Sequence, residues 1–110
     1  MELAGIPFQS IDWARIEPTS HPGAPGTATW RTLEVGTVRV RMVEYSPGYI
    51  ADHWCERGHV VLVLEGELIT EVADGRRTTL RPGGTYVVAS GRDGAHRSSS
   101  PGGARLFIVD

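Results

Sequence analysis

The chain lacks the features that mark several large classes of protein. None of its apolar runs approaches the ~20 residues needed to cross a bilayer, and "MELAGIPFQS" has neither the basic start nor the apolar middle of a signal peptide. Eleven basic residues against thirteen acidic ones give a net charge of −2, and the arginines form no basic run. We therefore expect a cytoplasmic protein with neither a membrane nor a nucleic acid as partner.

Cysteine is nearly absent. Cys55 is the single one, so no disulfide can form within the chain, which agrees with a reducing compartment. The thiol is free for other chemistry. At 110 residues the chain is long enough for one domain and too short for two ordinary ones, so an active site has to lie within or at the mouth of a single core.

Turn-forming residues are abundant. Fourteen glycines and seven prolines divide the chain into short segments rich in valine, threonine, leucine and tyrosine, which is typical of an all-β protein. Nine short strands at regular spacing indicate a barrel or a sandwich. The predicted strands are residues 30–35, 37–45, 49–55, 59–66, 67–73, 76–80, 85–89, 95–100 and 104–110.

Two of these segments predict more than a strand. "DG" at Asp74 and Gly75 lies between strand-like runs and predicts a tight hairpin. "VVLVL" in 59–66 is apolar on both faces, so we expect the barrel interior on one side and an outer layer or a partner subunit on the other. A homodimer is therefore expected.

The first 29 residues have a different composition. "IEPTSHPGAPGTATW" is rich in proline and glycine and shows no periodicity. We expect residues 1–29 to form an extended arm that packs on a barrel of residues 30–110. The arm's apolar side chains in "IPFQSIDWARI" would make that contact, through Ile6, Phe8, Ile11 and Trp13.

"DHWCERGH", residues 52–59, gathers metal-binding residue types. His53 and Cys55 would project from one face of a strand, His59 opens the next strand, and His96 is a fourth candidate after a glycine-rich loop. Imidazole and thiolate suit zinc and other late first-row ions. The ordinary alternatives are hydrogen-bonded histidines and a cysteine packed as a small apolar group. On alternation, Asp52 would face away from His53 and would not orient it.

The same residues resemble the first motif of the cupin superfamily, which reads glycine, five residues, then H-x-H-x3-or-4-E-x6-G. His53, Cys55, His59 and Gly66 fall in the H, H, E and G places with the family's spacing. Cysteine replaces the second histidine, histidine replaces the glutamate, and the preceding Gly48 is one residue too close.

Residues 84–96 resemble the second cupin motif. Gly84 and His96 match it, Ser90 replaces its proline, and the loop is one residue longer. The combination "ADHWCERGH...LEGE...AHRSSS...LFIVD" also resembles small single-domain bacterial cupins known by an Asp, His, Cys and Trp motif. The resemblance implies a jelly-roll barrel of two antiparallel sheets (a double-stranded β-helix), often dimeric, with His53, Cys55, His59 and His96 as metal ligands.

The resemblance leaves the reaction open, because cupins carry many chemistries. It implies a divalent metal in the barrel, with zinc favoured by the sulfur ligand and iron, copper or nickel as alternatives. The protein would act on, or sense, a small organic molecule. An oxygenase, an isomerase, a hydrolase or lyase, and a non-catalytic ligand-binding or structural domain with a closed metal site all remain. Cys55 as a reactive thiol is a further alternative.

Alternation from the ligands predicts which side chains line the cavity. Tyr49 lies on the face of His53, Val61 and Val63 on that of His59, and Ser98 on that of His96, which gives a mostly apolar cavity with hydroxyl groups. Arg39 and Arg41 form one basic strand face. Its ordinary orientation is toward solvent; the alternative turns it inward, where Arg41 could hold an anionic substrate.

Overall fold

The predicted all-β class is confirmed by a computed structural model that describes residues 3–110. The ten strands are β1 (Thr19–Pro22), β2 (Thr27–Val35), β3 (Val38–Tyr45), β4 (Tyr49–Ile50), β5 (His59–Gly66), β6 (Leu68–Val72), β7 (Arg77–Leu80), β8 (Thr85–Val88), β9 (His96–Ser100) and β10 (Ala104–Val109). Two single-turn 3-10 helices span Trp13–Arg15 and Arg92–Gly94.

The strands form two antiparallel sheets of the jelly-roll type. The larger sheet has the order β1-β2-β3-β10-β5-β8, and the smaller one has the order β4-β9-β6-β7. The core lies between them and is made by side chains that alternate along the strands, among them Val43, Val61, Val63, Leu68 and Leu106. In residues 3–110 no helix is long and apolar enough to cross a membrane.

The hairpin predicted at Asp74 and Gly75 is confirmed. β6 and β7 pair in antiparallel register with Glu71 opposite Arg77. Gly75 has φ +96°, which an L side chain rarely adopts, and the Asp74 carboxylate accepts the Arg76 backbone N–H at 3.0 Å. Turn chemistry alone was therefore sufficient to define this pairing.

The strand predicted over 49–55 is wrong beyond its first residues. Regular pairing covers Tyr49 opposite Ser100 and Ile50 opposite Ser99, and the next bridge joins Cys55 to His96. An uninterrupted antiparallel ladder would put His53 opposite His96. Two extra residues therefore bulge out before Cys55, and alternation does not survive such a bulge.

Residues 3–29, expected to form an arm, contain part of the larger sheet. β1 pairs with β2, and β2 begins at Thr27, before the expected boundary at residue 30. Arg31 of β2 donates to the carbonyl oxygens of Trp13 and Ile16 at 3.1 and 2.6 Å, which ties the first 3-10 turn to the sheet. Phe8 is 98 % exposed, so its expected packing on the barrel is wrong.

β5 is apolar on both faces, and only its inward face is covered. Val61 and Val63 are buried, whereas Val60 and Leu64 on the outward face are partly exposed, and Val87, paired with Val60, is mostly exposed. Within residues 3–110, no outer layer buries this surface.

Candidate metal centre

Cys55, His59 and His96 meet at one end of a cavity of about 120 Å³ between the two sheets. His59 begins β5 in the larger sheet and His96 begins β9 in the smaller one, so the two rings approach each other across the barrel interior. The cavity is lined by Trp30, Arg39, Arg41, Val43, Tyr45, Tyr49, Ala51, His53, Cys55, His59, Val61, Tyr86, His96, Arg97, Ser98, Leu106 and Ile108.

Backbone pairing holds Cys55 beside His96. The Cys55 N–H donates to the His96 carbonyl at 2.7 Å, and the His96 N–H donates back at 2.9 Å. His96 is also paired on its other side, opposite Val72 of β6. This isolated bridge resumes the pairing with β9 after the bulge, so two backbone hydrogen bonds hold Cys55 beside His96.

Gly58 sets the position of His59. A Cβ atom at this residue would lie 2.7 Å from the Ser90 backbone nitrogen, which no side chain tolerates. The absence of a side chain lets the Gly58 N–H donate to the Ser90 hydroxyl oxygen at 2.9 Å. Ser90, which stands where the cupin motif has proline, thus ties the start of β5 to the loop before His96.

The two imidazole rings face each other through their Nε2 atoms, which are 2.7 Å apart. His59 Nδ1 lies 3.0 Å from an Asp110 carboxylate oxygen, and His96 Nδ1 lies 2.8 Å from the Gly94 carbonyl oxygen. Since a carbonyl and an ionised carboxylate only accept, both Nδ1 atoms carry the proton. In the neutral rings, both Nε2 atoms therefore present lone pairs to each other.

Two lone pairs at this distance repel unless a cation lies between or beside them. One ligand atom from each of Cys55, His59 and His96 lies within 4.8 Å of the other two, so the cation is either a proton or a metal ion. Zinc at ~2.05 Å from each nitrogen, in tetrahedral geometry, would separate the nitrogens by roughly 3.3 Å. The donor types and the Nδ1 partners fit a divalent metal, with a small opening of the rings.

The surroundings of the Cys55 sulfur favour its thiolate form. Hydrogen bonding by His59, and then by His96, lowers the pKa of Cys55 to about 5 against the opposing effect of burial. Burial by itself would lower the pKa of His96, but hydrogen bonds with the Cys55 sulfur and the Gly94 carbonyl raise it above its ordinary value. At neutral pH the metal-free centre thus has Cys55 as a thiolate beside the two histidines.

His53, predicted as a ligand, is not brought into this group. Its side chain is 74 % exposed at the cavity rim, and its Nδ1 atom contacts the Asp52 carboxylate at 2.6 Å. That contact corrects the expectation that Asp52 faces away from His53, because the bulge removes the alternation on which it was based. The structure assembles three of the four predicted donors.

Sequence reasoning missed Asp110, which follows β10. Its side chain is 1 % exposed, and its carboxylate accepts from Arg39 at 2.8 and 3.0 Å, from Arg41 at 3.0 Å and from His59 at 3.0 Å, with Arg57 at 3.1 Å. A signal was present, since strand alternation puts Asp110 on the inward face with Leu106 and Ile108.

Ionisation of Asp110 is opposed by burial and favoured by its partners. Hydrogen bonds from Arg39 and His59, together with the charges of Arg41 and Arg39, outweigh the burial and hold the pKa of this carboxyl well below its ordinary value. The ionised carboxylate fixes which nitrogen of His59 carries the proton, a common arrangement for histidines that bind metals.

Arg41 faces inward, so the solvent-facing orientation expected for the basic strand face is wrong. Its side chain is 5 % exposed, and its guanidinium carbon lies 4.3 Å from the centre of the Trp30 ring. Sequence reasoning also missed Trp30 as part of the cavity. β3 pairs Arg41 with Ile108 of β10, so the basic face of β3 lies against the carboxylate of Asp110.

The other residues that alternation predicted to line the cavity divide into two groups. Tyr49, Val61 and Ser98 line the cavity. Val63 is fully buried in the hydrophobic core and is not among the residues that line this cavity.

Neither a family model nor a curated protein matches this sequence. Solved structures do match. A cupin of RmlC-like type from Shewanella frigidimarina has a TM-score of 0.75 at 19 % identity, over 94 % of this chain and 90 % of that one. A cupin-2 domain from Rhodospirillum rubrum has a TM-score of 0.72 at 19 % identity, over 94 % and 74 %.

A third match is described as a sugar phosphate isomerase of the cupin superfamily, from Silicibacter pomeroyi. It has a TM-score of 0.69 at 19 % identity, over 92 % of this chain and 74 % of that one. Likeness at such low identity extends to the arrangement of strands and not to activity.

Proposed function

We propose that this chain, which has the cupin fold predicted from its motifs, holds a divalent metal ion through Cys55, His59 and His96 and binds a small organic molecule in the adjoining cavity. The observation that carries the proposal is the pair of Nε2 atoms 2.7 Å apart, with both Nδ1 atoms already engaged. Two nitrogens and a thiolate favour zinc; iron, copper and nickel are the alternatives.

Three protein ligands suit a working site better than a closed one. Structural zinc sites use four protein ligands, whereas catalytic sites use three and keep one position open. A divalent ion held here would supply Lewis acidity toward an oxygen atom of a bound molecule. The chain's own residues would set its ligand geometry: Asp110 and the Gly94 carbonyl orient the two rings, and backbone pairing positions the sulfur.

The test is the metal content of protein purified without an affinity tag. We expect about one equivalent of metal in the wild type and in His53→Ala, and a loss of at least tenfold in a His59→Ala, His96→Ala double variant. Circular dichroism of each variant verifies its fold. Equal metal content in the wild type and a folded double variant would contradict the assignment.

A second candidate function is supported by the low pKa of Cys55 and its partial exposure: a reactive thiolate beside two histidines. Cobalt substitution separates the two functions. A thiolate-to-cobalt charge-transfer band that disappears in Cys55→Ser supports the metal site. Fast alkylation of Cys55 that added zinc leaves unchanged supports the reactive thiol.

Assembly and location are further parts of the proposal. Val60, Leu64 and Val87 leave an apolar strip on the outer face of β5 and β8, which a second copy of the chain would cover. Light scattering coupled to size exclusion tests the homodimer, with Val87→Glu expected to weaken it. A cytoplasmic location and membership of the Asp, His, Cys and Trp group stay predictions from the sequence.

A further inference from the structure

Arginine side chains outnumber carboxylates around the cavity beside the candidate metal centre. One carboxylate, that of Asp110, is shared by Arg39, Arg41 and the half-exposed Arg57. Arg41 is buried and Arg39 is 16 % exposed, and both line the cavity. A buried charge without a partner is costly, so the cavity favours an anion from outside the chain.

Arg41 is the side chain best placed to bind that anion. The Trp30 ring lies 4.3 Å from its guanidinium carbon and supports one face of the group. Its Nη2 donates to Asp110, while its Nε is buried and has no hydrogen-bond partner among residues 3–110. A guanidinium held in one plane with unused donors matches the geometry of a carboxylate.

Size and lining limit the anion to a small organic acid. The cavity volume of about 120 Å³ is somewhat less than the ~150 Å³ of an engineered cavity that accommodates benzene, which limits an enclosed ligand to roughly six non-hydrogen atoms. The part of the lining made by Val43, Val61, Leu106 and Ile108 is apolar. Inorganic phosphate would leave this part unfilled, whereas a short carbon chain fills it.

We propose that the molecule bound here is a small carboxylic acid, held by its carboxylate at Arg41 with its short carbon chain against the apolar lining and beside the metal centre. The inference rests on the proposed function for the presence of a metal. Recognition of the carboxylate by Arg41 does not require the metal. Arg41, His59 and His96 line the same cavity, and Asp110 connects Arg41 to His59 through hydrogen bonds.

Calorimetric titration of zinc-loaded protein tests the inference. The probes are acetate, propanoate, pyruvate and lactate, each compared with its neutral amide, and inorganic phosphate. We expect at least one acid to bind tenfold or more tightly than its amide and than phosphate, because an amide has no charge for Arg41. Acids that bind no better than amides, or phosphate that binds best, would overturn it.

Variants of Arg41 test whether this residue is the one that binds the carboxylate. Arg41→Gln should lose at least tenfold in affinity for the preferred acid and leave affinity for its amide within about twofold, and Arg41→Lys should lie between the wild type and Arg41→Gln. Arg76→Gln removes the same charge at an exposed pair with Asp74 and should bind like the wild type. Unchanged affinity in a folded Arg41→Gln would overturn the role of Arg41.

Metal content measured on the same samples separates the two proposals. Wild-type protein that takes up no metal contradicts the metal centre. Wild-type protein that takes up one equivalent and prefers no carboxylic acid contradicts only the carboxylate. Normal metal content in Arg41→Gln with lost acid binding supports both.

Discussion

Replacing Asp110 by asparagine should strongly destabilise the fold at neutral pH. The substitution keeps the shape of the side chain and removes its charge. The carboxylate has five contacts of 2.8–3.1 Å with three arginines and His59 while its side chain is 1 % exposed. Either orientation of an amide would put an NH₂ group against these donors. Removing one partner of a buried ion pair costs about 3–5 kcal/mol.

The assay is thermal unfolding followed by circular dichroism, with a chelator present so that metal binding does not contribute. For a domain of this length, a loss of 3–5 kcal/mol lowers Tm by roughly 12–22 °C. Asp74→Asn is the matched control, because Asp74 pairs with Arg76 at 2.7 Å on the surface. An exposed pair contributes about 0–1 kcal/mol, so this variant should shift Tm by only a few degrees.

The difference between wild type and Asp110→Asn should depend on pH in one direction. The pKa of Asp110 is lowered by folding, so its stabilisation is fully present above the unfolded pKa of about 3.9. It is lost progressively as the pH falls below that value toward the folded pKa. A Tm difference below 4 °C at pH 7, or one that stays constant from pH 6 to pH 3, would refute this reasoning.

Three further predictions concern the centre and the core. Cys55→Ser should weaken zinc affinity by at least tenfold in competition with a chromophoric chelator, because a hydroxyl is a poorer zinc ligand than a thiolate; affinity equal to wild type would exclude the sulfur. His53→Ala should keep wild-type affinity in the same assay, and a tenfold loss would make His53 a fourth ligand. Leu68→Ala should cost about 2–5 kcal/mol in urea unfolding, because Leu68 is fully buried, against about 0.5 kcal/mol or less for Phe8→Ala, whose side chain is 98 % exposed.

Much of the fold could be predicted from local patterns. Strand positions followed from alternation and from glycine and proline, and the β6–β7 hairpin followed from Asp74 and Gly75, because both signals depend on neighbours in sequence. β5 was predicted with its observed bounds, His59–Gly66, since an apolar run between turn residues is a strong signal.

The candidate site was predicted less completely, because it depends on contacts distant in sequence. Cys55, His59 and His96 were expected to converge, and they do. The exclusion of His53 from this group could not be foreseen, since a bulge leaves no mark in a pattern of alternating residues. The inward orientation of Arg41 depends on Asp110, 69 residues away, and was predictable only by combining the alternation of β3 with that of β10.

The bulge between Ala51 and Cys55 determines the chemistry of the ligand set through chain length. Because side chains alternate with a period of two, moving this segment by two residues keeps the same face inward and puts the His53 imidazole where the Cys55 sulfur now lies. The bulge therefore decides whether the soft Cys55 sulfur or the harder His53 nitrogen faces the two histidines. The number of residues in the bulge, as much as their types, would then select which metals the proposed centre could hold.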